Sequence, residues 1–184
     1  MICMNNNQII DSTRRKNMRK QIMINCLTMI LLTGCLGQSK EKAFIAKNEF
    51  EDFSKFKGVN VFKRGEDKNQ EIIAIFVSCL VNDNSKKECY LVTLDKKNHQ
   101  VIKAKWTTEY YVDKDTLMLQ QLAQIFIKYK IPRLNVDNVG NVFVYLKDVE
   151  TLALARFVDE NELKKRSKEI RWIEVKDNWY KPSK

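Results

Sequence analysis

Four apolar runs of strand length, separated by polar turns, dominate residues 58–112. The first, GVNVFKR (58–64), ends in the turn-like GEDKNQ. The second, EIIAIFVSCL (71–80), is apolar at both parities, as expected of a central strand covered on two sides. ECYLVTLDKK (88–97) follows as its partner, and KKNHQ turns the chain into VIKAKWTTEYYV (101–112). In that last run Ile102, Ala104, Trp106 and Tyr110 alternate with Lys103, Lys105, Thr107 and Glu109. A period of two sends one set to a dry face and the other to water. The expectation is an antiparallel meander of about four strands.

Helical spacing flanks the meander. EKAFIAKNEFEDFSKFKG (41–58) sets Ala43, Ala46, Phe50 and Phe53 on one side, with Gly58 as the stop. DKDTLMLQQLAQIFIKYKIP (113–132) aligns Met118, Leu122, Ile125 and Tyr129, with Leu119, Ala123 and Phe126 beside them. Asp113 or Asp115 caps this helix and Pro132 ends it. NVFVYLKD (141–148) and TLALARFV (151–158) read as later strands. DENELKKRSKE (159–169) reads as a short helix whose first turn is acidic and last turn basic, matching the helix dipole. Asp159 and Glu162 stand there as a capping pair. RWIEV and NWYK, joined by Lys176, Asp177 and Asn178, close a C-terminal hairpin. The class is α+β: an antiparallel sheet with an N-terminal helix and a long central helix packed on it. Apolar residues at 44% and charged residues at 30% suit a globular domain, and five Gly with two Pro exclude collagen-like or linker composition.

The residues before 41 follow another logic. A basic stretch, Arg14 to Lys20, precedes the apolar IMINCLTMILL (22–32), and the small pair Thr33-Gly34 leads to Cys35. Spanning the hydrocarbon core takes about 20 apolar residues, and this run gives way at once to Gly37, Gln38, Ser39 and Lys40. A signal-peptide core fits better. Leu32-Thr33-Gly34-Cys35 resembles the lipobox of bacterial lipoproteins at every position. The resemblance implies that the bond between Gly34 and Cys35 is cut, and that Cys35 receives the lipid and becomes the new amino terminus. Residues 1–34 are then a signal peptide, 35–40 a lipidated tether and 41–184 a single globular domain. The compact MRKQIMINCLTMILLTGC points to Met18 as the true start. Leu36 stands where an Asp would imply inner-membrane retention, so an outer-membrane destination is open in a cell with two membranes.

Processing also divides the cysteines. Cys3 and Cys26 leave with the leader and Cys35 carries lipid, so Cys79 and Cys89 remain in an oxidising compartment. A hairpin symmetric about Asn84 would set Cys79 opposite Cys89, making them a candidate disulfide; two reduced, buried thiols are the alternative.

The net charge of +10 is partly the leader's. Without the five basic residues and one acid of 1–35, 28 basic residues face 22 acidic ones. That moderate excess suits anionic lipid headgroups or a phosphorylated polymer without choosing between them. His99 is the only histidine, which leaves a multi-His metal site or a Ser–His–Asp triad without parts. NVDNVGN (135–141) resembles a calcium loop faintly, but Val139 holds a ligand position and Leu146 the closing one, so a turn at Gly140 is expected. The basic run Lys164 to Lys168 belongs to a helix end, and export argues against nucleic acid as a partner. The carboxylate pairs Asp113/Asp115 and Asp159/Glu160 have the spacing of caps as much as of acid–base groups. Trp106, Tyr110, Tyr111, Trp172, Trp179 and Tyr180 could together line a groove for sugar or peptide. The expectation is an envelope lipoprotein, not an enzyme, whose domain binds a protein partner without cofactor or metal. An immunity-type inhibitor of an envelope-directed toxin is the alternative, and a carboxylate-dependent envelope hydrolase a more distant one.

Overall fold

Val59–Asp67 (β1) is the strand around which the rest of the sheet is laid, pairing with one strand on each side and extending beyond the run that predicted it. The computed structural model describes residues 39–67, 69, 71–79, 88–107 and 115–183. Ile72–Cys79 (β2), Glu88–Asp95 (β3) and Val101–Trp106 (β4) follow β1 as the expected meander. Arg133–Val136 (β5) then returns to the free side of β1, and Val142–Tyr145 (β6) and Leu154–Arg156 (β7) continue outward. Trp172–Lys176 (β8) and Trp179–Pro182 (β9) close as a hairpin, with β9 against β7. Among the described residues this is one nine-stranded antiparallel sheet in the order β4-β3-β2-β1-β5-β6-β7-β9-β8. The class is α+β, with more strands than expected. The strand absent from the sequence reading is β5, and it joins the meander to the later strands.

Alternation places Val59 and Val61, then Ile73, Ile75 and Val77, then Tyr90, Val92 and Leu94 on one buried face. Leu134, Val136, Val142, Val144 and Leu154 extend the same core. In β4 the structure corrects the expected pattern. Ile102 is 57% exposed, and Val101 is the residue that packs against the core. A register shift after Thr93 pairs Leu94 with Val101, so Ile102 falls in the irregularity while Ala104 and Trp106 keep their predicted side.

Three helices are described. Lys40–Asn48 (α1) buries Phe44, Ile45 and Asn48 instead of the Ala43–Ala46–Phe50–Phe53 stripe. The helix stops at Asn48, which leaves Phe50 95% exposed, and an extended stretch with a 3-10 turn delivers Phe53 and Phe56 to the core. Thr116–Phe126 (α2) begins at Asp115, whose carboxylate accepts from the Leu117 and Met118 N–H groups, and buries Leu119, Leu122, Ala123 and Phe126. Met118 lies at the margin, 39% exposed. A 3-10 turn follows, and Lys130 leaves it with φ of 57° two residues before Pro132. Glu160–Arg166 (α3) is capped by Asp159 as expected, but Glu162 accepts from the Asn141 side chain. None of the described helices is long and apolar enough to cross a membrane.

Candidate functional site

The sheet face opposite the core is built from the other half of each alternation. Ladder partners run Lys105, Leu91, Phe76, Phe62, Arg133 and Tyr145 across β4, β3, β2, β1, β5 and β6. Beside this row runs a second: Cys89, Ser78, Asn60 and Asn135. Phe62, Phe76, Leu91 and Tyr145 are all partly exposed. A flat apolar and aromatic surface therefore faces outward near the middle of the sheet.

Cations punctuate it. The Phe62 and Phe76 rings lie 5.2 Å apart, and the Arg64 guanidinium carbon sits 5.0 Å from the Phe76 centroid. Arg64 is the extra residue at the register irregularity between Lys63, paired with Ile75, and Gly65, paired with Ala74. The Arg133 guanidinium lies 4.5 Å over the Tyr145 ring. Its Nε donates to Asn60 Oδ1 at 2.8 Å and its Nη1 to the Val149 carbonyl at 2.9 Å. Two hydrogen bonds and a stacked ring hold this cation in place. Lys103 and Lys105 rise from β4 at the margin, both exposed. Among the described residues none of these four cations is in an ion pair.

The polar row is less well satisfied. Ser78 is 2% exposed and its Oγ has no hydrogen-bond partner, and neither has Asn135 Oδ1. Each such group costs about 1–3 kcal/mol when buried unpaired. Both of these atoms are buried, so the exposed part of the face consists of rings and positive charge.

The residues singled out by sequence are distributed differently. Leu32, Thr33, Gly34, Cys35 and Met18 lie outside the described residues, as do Tyr110, Tyr111 and Asp113. Cys89 carries a free thiol, and the expected register is corrected by one residue: Cys89 is the ladder partner of Ser78, and Cys79 that of Glu88. Because β2 is apolar at both parities, its sequence admitted either register.

The aromatic groove does not assemble as expected. Trp179 is 1% exposed in the core, edge-on to Phe44 at 5.8 Å. Trp106 packs on Tyr90 at 4.9 Å, and Trp172 and Tyr180 pack on Phe157. The rings that do face outward together, Phe62, Phe76 and Tyr145, were passed over. Their signal was the alternation of β1 and β2 read for the side away from the core.

Asp137 forms a loop-closing cluster, not a metal site. Its Oδ1 accepts from the Val139, Gly140 and Asn141 N–H groups, and its Oδ2 from Asn141 Nδ2 at 2.9 Å and Arg166 Nη2 at 3.2 Å. Gly140, at φ of 116°, makes the turn. Among the described residues no group of three or more His, Cys, Asp or Glu side chains could hold a metal ion. Asp115 and Asp159 are spent on helix caps, and Lys164, Lys165 and Arg166 pair with Glu160, Glu162 and Asp137. Compared with protein-family models, curated proteins and solved structures, the chain matches none.

Proposed function

We propose that this chain is a lipid-anchored bacterial envelope protein whose folded part binds a protein partner without transforming it. The reading stands on four residues: Leu32-Thr33-Gly34-Cys35 follow an apolar run and precede the first described helix, at Lys40, by a short tether. Acyl chains on Cys35 hold the domain at the bilayer, since each buried CH₂ contributes about 0.8 kcal/mol. Where the cell has an outer membrane, Leu36 permits delivery there.

The outward sheet face is the contact surface. Among the described residues the apolar sides of α1 and α2 enter the core on the other face, so the Phe62–Phe76–Arg133–Tyr145 row is the surface offered to the partner. Arg64, Lys103, Lys105 and Arg133, in no ion pair among the described residues, favour an acidic surface with an apolar centre, the complement in charge. A guanidinium fixed against a ring is the kind of side chain that dominates binding energy at interfaces.

Two experiments test this reading. Cells fed a labelled fatty acid should label the protein and hold it in the membrane fraction, and Cys35→Ser should abolish both. Retention of residues 22–34 in the finished protein would refute the anchor. A photo-crosslinking amino acid at position 62 or 76 should capture one acidic protein, with capture lost in Arg133→Glu and kept in a Lys164→Glu control. Capture of single-stranded nucleic acid would replace the proposed partner, since bases also stack on such rings. A captured toxin would make the protein its inhibitor.

A further inference from the structure

A cleft of about 500 Å³ opens between the end of β6, the β3–β4 turn and the segment linking α2 to β5. This volume lies within the range of small-molecule sites, about 300–1,000 Å³. Its floor is apolar: Ile73 and Ile131 are 4% and 6% exposed, with Ile127, Pro132 and Leu146 around them. Its rim is cationic, with Lys63, Lys96, Lys130 and Lys147 against the single carboxylate of Glu66.

Glu66 is shared. Lys63 donates to its Oε1, and Lys96 Nζ lies 3.0 Å from its Oε2. Lys130 and Lys147 are in no ion pair among the described residues. Four ammonium groups and one carboxylate leave an excess of three positive charges around an oily floor. Beside a partly apolar wall, an anion gains somewhat more from each lysine than it would in open water. Lys130 and His99 both line the cleft in left-handed backbone, with φ of 57° and 59°. That conformation costs a non-glycine residue about 1 kcal/mol or more.

We infer that this cleft binds a single-chain amphiphile with a phosphate head: the head among the four lysines, the chain on Ile73, Ile131 and Leu146. A dianionic head offsets two of the three excess charges, and a compact ammonium suits phosphate as a point charge. An inorganic anion would leave the floor unused, and a neutral chain would leave the lysines unanswered.

The test uses the intact lipidated protein in phosphatidylcholine nanodiscs, titrated calorimetrically with hexyl phosphate, inorganic phosphate and hexanol. Hexyl phosphate should bind at least about tenfold more tightly than either, a difference of about 1.4 kcal/mol. The double variant Lys130→Asn with Lys147→Gln should weaken it by about tenfold or more; Asn is chosen because it tolerates the left-handed backbone. Equal binding of hexyl and inorganic phosphate would overturn the inference, as would undiminished binding by a folded double variant. If that variant fails to fold, the comparison of ligands on the native protein still decides. Displacement of hexyl phosphate by vesicles containing lysophosphatidic acid would place the natural source in a bilayer, and its persistence would place it in solution.

Discussion

One carboxylate carries more hydrogen bonds than its neighbours. Asp137 accepts from three successive N–H groups of its own loop and from the fully buried Asn141 side chain. Asn141 in turn donates to Glu162 on α3 and accepts from the Val158 N–H. The loop, the end of β7 and α3 are thereby tied together. Burial works against the Asp137 charge, but the Asn141 side chain and the Gly140, Asn141 and Val139 N–H groups outweigh it and hold the carboxyl below the aspartate range. Its charge therefore stabilises the fold above the unfolded aspartate pKa, about 3.9, and that contribution is lost as pH falls through the lower folded value. Asp137→Asn should cost about 1–3 kcal/mol at neutral pH and flatten the acid limb of a stability–pH curve measured by urea unfolding. An acid limb equal to that of the native protein would remove this role.

Legibility differed from one secondary-structure element to the next, and for physical reasons. The helix from Thr116 was readable because the Asp115 cap, the 3.6 period and Pro132 agree. β5 was not, since Arg133–Val136 is four residues long, begins right after a proline and contains an asparagine. It is a strand because β1 and β6 supply partners on both sides, which no local pattern records. α1 failed in the other direction: the apolar spacing ran past Asn48, and an exposed Phe50 marks where the backbone left the helix. Between β2 and β3, apolar residues at both parities hid the register, and the partners Val77 and Tyr90 fix it. With Cys89 opposite Ser78 and its thiol free, peptides bearing Cys79 and Cys89 should separate after digestion without reductant. A linked peptide would contradict this register.

Within the folded unit, β5 decides whether there is one cooperative body or two. It alone joins the β4–β3–β2–β1 block to the β6–β7–β9–β8 block through the sheet. Leu134, fully buried at its centre, faces Val61 on one side and Val144 on the other. Leu134→Ala should cost about 2–5 kcal/mol, and amide exchange in both blocks should accelerate together. Loss of protection in one block alone would mean that the halves fold independently. Of the proposed functional features, the lipobox was legible because it is linear, and the outward face was not because it is assembled from six strands at matched register.

A last feature concerns force. Trp179, on the final strand, lies edge-on to Phe44 of the first helix and to Phe53 beyond it, while Arg156 stacks on Phe53 and Trp179 and donates to the Glu51 carbonyl. Lys176 adds an ion pair to Glu49 at 3.2 Å. A tug arriving through the chain ahead of Lys40 would thus be met by the closing hairpin acting as a buckle, and the domain's mechanical strength would reside in those few rings before any strand is peeled.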